Sequence, residues 1–223
     1  MSGKWGREVI AIVTENTIRD SLALWRQPED KVPHFNYRLE HVKVVVRLAE
    51  YLAEKLGADR EVVRAAAWLH DLAKDMAKIY LERDEHGREG AAEARRILAG
   101  TDFPPEKVDA VCEAIEKHVG LYKEVLVEPL EAAIIWDADK LAKLGATAIV
   151  HYLPLRPALS SLEGELTTAR ILAEGEEWLA MGQRMVDSMN TAFAGEMAQE
   201  RLGVGREFYG QLAREMGFLT NSA

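Results

Sequence analysis

Residues 62–75 read VVRAAAWLHDLAKD. Small and apolar side chains occupy most sides of the helix this stretch would form, so it belongs at the centre of a helical core. The helix opens after Asp59, a good N-cap, and is expected to run to about Lys74. Within it, His70 and Asp71 are polar groups in an apolar setting. An adjacent His–Asp pair near a helix end can aim a borderline nitrogen and a hard oxygen at one ion.

Outward from this centre the chain reads as helix after helix. Upstream, Val42, Val45, Val46, Ala49 and Leu52 form the apolar stripe of a helix over 37–56, with Gly57 as its stop and His41 in its middle. A first helix covers 7–25, and two prolines within 27–33 separate it from the second. Downstream, Asp84, Glu85 and the residues up to Gly87 form a polar break. A short Ala-rich helix over 88–98 follows and stops at Gly100. Pro104 and Pro105 open the next helix, which ends near Val119 and Gly120. Another starts near Pro129 and passes through Ile134, Ile135 and Leu141, after which Gly145 and Pro154 read as punctuation. Beyond Pro157, the spacing of Leu162, Leu166, Leu172, Leu179, Met185 and Met189 predicts one long helix containing Gly175 and Gly182. A last helix covers 192–216. No alternating apolar–polar run survives, so the expected class is all-α: a helical bundle with an N-terminal helix (1–30), a core (31–155) and a C-terminal helical hairpin (156–223).

The chain has 223 residues, enough for one domain with an extension. Lys and Arg number 28 against 37 Asp and Glu, a net charge of −9. That excludes nonspecific binding of a nucleic acid duplex, which needs a basic face. It leaves open a small phosphorylated ligand, because a metal ion can supply local positive charge. The single cysteine, Cys112, excludes an internal disulfide. With no signal-like start and no long uncharged apolar run, a cytoplasmic protein without a membrane segment is expected.

A second acidic cluster lies in IIWDADKLAKLG, residues 134–145. Asp137 and Asp139 are too deep in apolar sequence for a solvated face, and a buried carboxylate is costly unless paired or metal-bound. Two positions apart on a helix, they point about 200° apart and should not share a role.

His41, His70-Asp71 and Asp137 follow the order H…HD…D, and with this pattern the sequence resembles the HD superfamily of metal-dependent phosphohydrolases. The flanks 39–59, 86–98, 114–120, 134–149 and 185–216 look like the corresponding segments of its stand-alone bacterial members, so the likeness covers about 30–217. The resemblance implies His41, His70, Asp71 and Asp137 as ligands of one divalent ion (Mn, Fe, Co, Ni or Mg), a set that suits these better than structural zinc. It also implies a catalytic group made of Asp71, His86, His118 and Lys74. His86 and His118 match histidines that hold a second ion or contact substrate phosphate in some relatives, and Lys74 matches a basic position on the phosphate side. Arg88 is a lesser candidate for the same duty. The implied activity is cleavage of a phosphoester or phosphoanhydride in a small phosphorylated metabolite, a nucleotide first. The alternatives are a cyclic-nucleotide-type phosphodiesterase and a noncatalytic, metal-containing ligand sensor. Asp139 and Lys140 read as a structural pair, His34 and His151 as surface or satisfied core residues, and Trp68 and Trp136 as core. Met181, Met185 and Met189 read as packing or as a homodimer contact.

Overall fold

The computed structural model describes residues 3–27, 32–76, 86–163 and 165–217, leaving aside the side chains of 160–163. Asp84 and Glu85 of the expected polar break, and Pro28, lie outside the described residues. Among the described residues there are nine α-helices and no strand. The helices are α1 (Lys4–Leu24), α2 (Tyr37–Leu56), α3 (Arg60–Leu69), α4 (His86–Ala99), α5 (Val108–Lys117), α6 (Leu130–Ala142), α7 (Gly145–Glu163), α8 (Thr168–Asp187) and α9 (Ala192–Glu215). No helix among them is long and apolar enough to cross a membrane.

Local signals set most of the boundaries. Asn36 caps α2, accepting from the Leu39 N–H, and Gly57 ends it in the left-handed conformation at φ 73°. Asp59 caps α3, accepting from the Glu61 and Val62 N–H groups. Helices α2, α3, α5 and α6 pack into the core, where Val45, Leu52, Ala66, Leu69, Ile115, Ile134 and Leu141 are fully buried. Helices α8 and α9 pair as a hairpin.

Three expectations need correction. Helix α3 ends at Leu69 rather than near Lys74, so His70 and Asp71 sit in the turn that closes it. That turn is held by the Leu72 N–H donating to Leu69 O and the Lys74 N–H donating to Asp71 O. Second, Gly145 does mark the break between α6 and α7, at φ 73°, but Pro154 does not punctuate: α7 runs through both Pro154 and Pro157. An interior proline costs about 3 kcal/mol, but here Leu155 and Leu159 bury themselves against Met76, Phe35 and Tyr37, and packing prevails. Third, the long helix expected beyond Pro157 is two. Thr167 caps a new start, accepting from the Arg170 N–H, and the chain turns into α8.

Candidate metal centre

Four helices and one turn converge on a buried cluster of ionisable groups. Helix α2 brings His41, the turn after α3 brings His70 and Asp71, and α6 brings Asp139, all at most 4% exposed. His118, the residue at which α5 ends, is equally buried, and His86 reaches in from the start of α4.

His70 Nδ1 donates to Ala67 O at 2.8 Å. That bond fixes the tautomer and leaves Nε2 with its lone pair exposed to the cluster. Nε2 is buried and has no hydrogen-bond partner. Around it stand Asp71 Oδ2 at 3.7 Å and Asp139 Oδ1 at 3.9 Å. His41 Nε2 lies 2.9 Å from the same Asp139 oxygen. Neighbouring ligands of an octahedral ion with bonds of about 2.1 Å sit about 3.0 Å apart, and opposite ones about 4.2 Å. The spacings of 2.9–3.9 Å therefore suit a shared cation. His41, His70 and Asp71 are close enough to offer one ion three ligand atoms.

The electrostatics favour the same use. Burial drives the His70 imidazole down to about 3 and lowers that of His41, so both rings are neutral, the ligating form. Burial would raise Asp71, but Lys74, His70 and His118 outweigh it and hold the carboxyl well below its usual range. At Asp139 burial is likewise outweighed, by Lys140 and Lys143. Two neutral nitrogens thus face two ionised carboxylates.

Asp71 also faces the other way. Its Oδ1 lies 3.5 Å from both His86 Nε2 and His118 Nε2, which are 3.1 Å apart. His118 Nδ1 donates to Ile115 O, which points its Nε2 inward. Asp71, His86 and His118 make a second group able to hold an ion. Gly87 permits this meeting. A Cβ there would lie 2.5 Å from Val119 Cγ2 and 2.8 Å from Glu116 O, so only glycine lets the start of α4 approach the end of α5 so closely. Lys74 Nζ stands 3.4 Å from Asp71 Oδ2. Arg88 is exposed on α4.

Asp137 does not join the cluster, contrary to the ligand set that the resemblance implied. Its Oδ1 accepts from the Asn190 N–H at 2.8 Å and Asn190 Nδ2 at 2.9 Å; its Oδ2 accepts from the Thr191 N–H at 3.0 Å and Thr191 Oγ1 at 2.8 Å. Both oxygens are spent on tying α6 to the start of α9. Asp139, read from sequence as a structural partner of Lys140, takes the inward place. The Lys140 pair exists, Nζ 2.5 Å from Oδ2, but Oδ1 also meets His41 and Lys143. Two residues were missed altogether. Arg38 is 3% exposed, bridges Asp20 at 3.3 Å and donates to the Asp71 carbonyl, bracing the turn that carries the dyad. Lys143 binds Asp139, and no residue around it in the sequence marks it apart from an ordinary surface lysine.

Comparison with known proteins bears on the fold and the family. Residues 38–144 match the model of the HD domain family. The chain is 29% identical over 180 residues to an uncharacterized protein, YpgQ, of Bacillus subtilis, covering 79% of this chain and 82% of that one. A crystal structure of YpgQ superposes with a TM-score of 0.64 at 24% identity, over 95% of this chain and 94% of that one. YpgQ has also been crystallised in complex with ADP, a structure that superposes with a TM-score of 0.58 at 22% identity over 92% and 96%. A protein from an uncultured Thermotogales bacterium, described as a predicted HD superfamily hydrolase, matches with a TM-score of 0.59 at 23% identity over 94% and 92% of the two chains. The architecture, the H…HD order and the family match agree: residues 38–144 of this chain form an HD domain, the domain of the HD superfamily.

Proposed function

We propose that this protein is a metal-dependent phosphohydrolase that cleaves a phosphoester or phosphoanhydride bond of a small phosphorylated metabolite, a nucleotide first. The observation that carries the reading is the buried, unpartnered His70 Nε2, faced by Asp71 and Asp139 and flanked by His41. A lone pair left bare in a dry core is costly unless something binds it. His41, His70, Asp71 and Asp139 would hold a divalent ion, which supplies an acidified water and polarises a phosphoryl oxygen. The donor set of nitrogens and oxygens, without a thiolate, suits Mn, Fe, Co, Ni or Mg. Asp71 would be shared with a second ion at His86 and His118.

The remaining groups have roles that follow from their places. Lys74 stands at the open side of Asp71, 21% exposed in its side chain, where it would neutralise charge gathering on a phosphate. Without a second ion, His86 and His118 would instead offer an imidazole proton to a leaving oxygen. YpgQ in complex with ADP supports a nucleotide as the ligand class here. A cytoplasmic site of action and a homodimer remain parts of this proposal.

Metal analysis combined with phosphate release from a nucleotide panel tests the reading. We expect at least one divalent ion per chain and turnover that requires Mn²⁺ or a similar ion. Nucleotide binding with no turnover on any phosphoester under added Mn²⁺ would overturn it in favour of a sensor.

A further inference from the structure

A cavity of about 590 Å³ opens between α7, α8 and α9 on the far side of Lys143 from the metal cluster. Its volume falls within the roughly 300–1,000 Å³ of sites that hold small organic ligands. Ile149, Leu155, Tyr152, Trp178, Leu202 and Tyr209 give it an apolar and aromatic wall. Two residues join it to the cluster. Lys143 lines the cavity and binds the Asp139 carboxylate. Tyr37 lines it too, and its ring lies 5.8 Å from His41, stacked within 12°.

One polar group in that wall has no partner. His151 is 8% exposed, lines the cavity, and its Nδ1 is buried without a hydrogen bond. Burial pushes its imidazole down, so the ring is neutral and offers one donor and one acceptor. Phe35 and Tyr37 pack against it at ring distances of 6.3 and 6.2 Å. An unmet buried nitrogen carries a desolvation cost that a ligand able to hydrogen-bond would relieve.

We propose that this cavity takes the nucleobase of the substrate, with its hydrogen-bonding edge on His151 Nδ1 and its phosphate directed past Lys143 to the metal cluster. The flat faces suit a planar heteroaromatic group, which aromatic walls hold by stacking. Arg170, Glu174 and Glu177 also line the cavity and would meet the hydroxyls of an attached sugar, while an aliphatic chain would leave His151 unmet. The placement of the phosphate end rests on the phosphohydrolase reading; the base pocket itself does not.

Calorimetric titration of the chelator-treated full-length protein with adenosine, AMP and inorganic phosphate separates the two. Adenosine is expected to bind one per chain without metal. His151→Phe, which keeps an aromatic ring and removes both nitrogens, is expected to weaken it about tenfold, the effect of one hydrogen bond. Ala148→Trp, which fills the cavity from α7, is expected to abolish it. Both variants should take up manganese as the parent does, and His151→Phe carries the test if Ala148→Trp does not fold. No adenosine binding, unchanged binding in both variants, or binding of decanoate in place of adenosine would overturn the proposal. Normal manganese uptake without adenosine binding sinks the pocket alone. Adenosine binding without manganese uptake sinks the phosphohydrolase reading alone.

Discussion

Asp137 and Asp139 stand two residues apart on one buried helix and serve different purposes. Asp137 accepts four hydrogen bonds from Asn190 and Thr191, while Asp139 faces His41 and His70. A helix turns about 200° in two residues, which makes the division unavoidable. Asp137→Asn replaces an acceptor of three N–H donors and one hydroxyl by an amide that can accept only through one oxygen. Its expected cost is about 3 kcal/mol, read as a lower melting temperature, with manganese stoichiometry unchanged. Loss of metal without loss of stability would show that Asp137 ligates after all.

The second histidine pair should be separable from the first. His86→Ala and His118→Ala are each expected to abolish turnover while leaving at least one ion bound, because His41, His70, Asp71 and Asp139 stay in place. Gly87→Ala should mimic them in part, since the added Cβ drives α4 off α5 and pulls His86 from His118. Phosphate release and metal content measured on the same samples check both statements. Parental turnover in both histidine variants would return His86 and His118 to a structural role.

Arg38 is expected to matter through the turn that it braces. Arg38→Met leaves the buried Asp20 carboxylate without its guanidinium and frees the Asp71 carbonyl, at a cost of about 3–5 kcal/mol. Asp20→Leu in the same chain should recover much of that stability, because no unpaired charge remains, but not the metal affinity. A denaturant titration of the single and double variants, each followed by a manganese titration, decides this. Equal affinity in the double variant and the parent would mean that Arg38 only stabilises.

Stability below neutral pH should depend on Glu174. The Arg156 guanidinium beside it, with Tyr152 and Arg170, outweighs partial burial and holds its carboxyl at about 2. A depressed carboxylate contributes stability that is complete above its unfolded value and is lost as pH falls through the folded one. The window is therefore pH 4.5 down to 2. Glu174→Gln is expected to be less stable than the parent at pH 6 and to lose less on acidification across that window. Parallel stability–pH curves for the two proteins would refute the assignment.

Much of this was legible in the residues. The apolar stripe of α2, and for α3 the Asp59 cap and the small-residue stretch 62–69, fix two elements by local chemistry alone, and His41 and His70-Asp71 stand out as polar groups in apolar runs. What was not legible came from partners far along the chain. Helical geometry says that Asp137 and Asp139 diverge, but which one faces inward is decided by Asn190 and Thr191, more than fifty positions away. Helix α7 was hidden because Pro154 and Pro157 argue locally against it, while the burial of Leu155 and Leu159 argues for it only once Phe35 and Tyr37 are in place. His151 carried no signal, since a lone histidine is ordinary until its unmet nitrogen is seen on a cavity wall.

The most direct measurement is the manganese content, by mass spectrometry after dialysis, of the parent chain and of Asp139→Asn. The parent should carry at least one ion per chain. The variant should carry almost none, since a neutral amide replaces the carboxylate that faces both imidazoles. Full manganese stoichiometry in Asp139→Asn would contradict the centre described here.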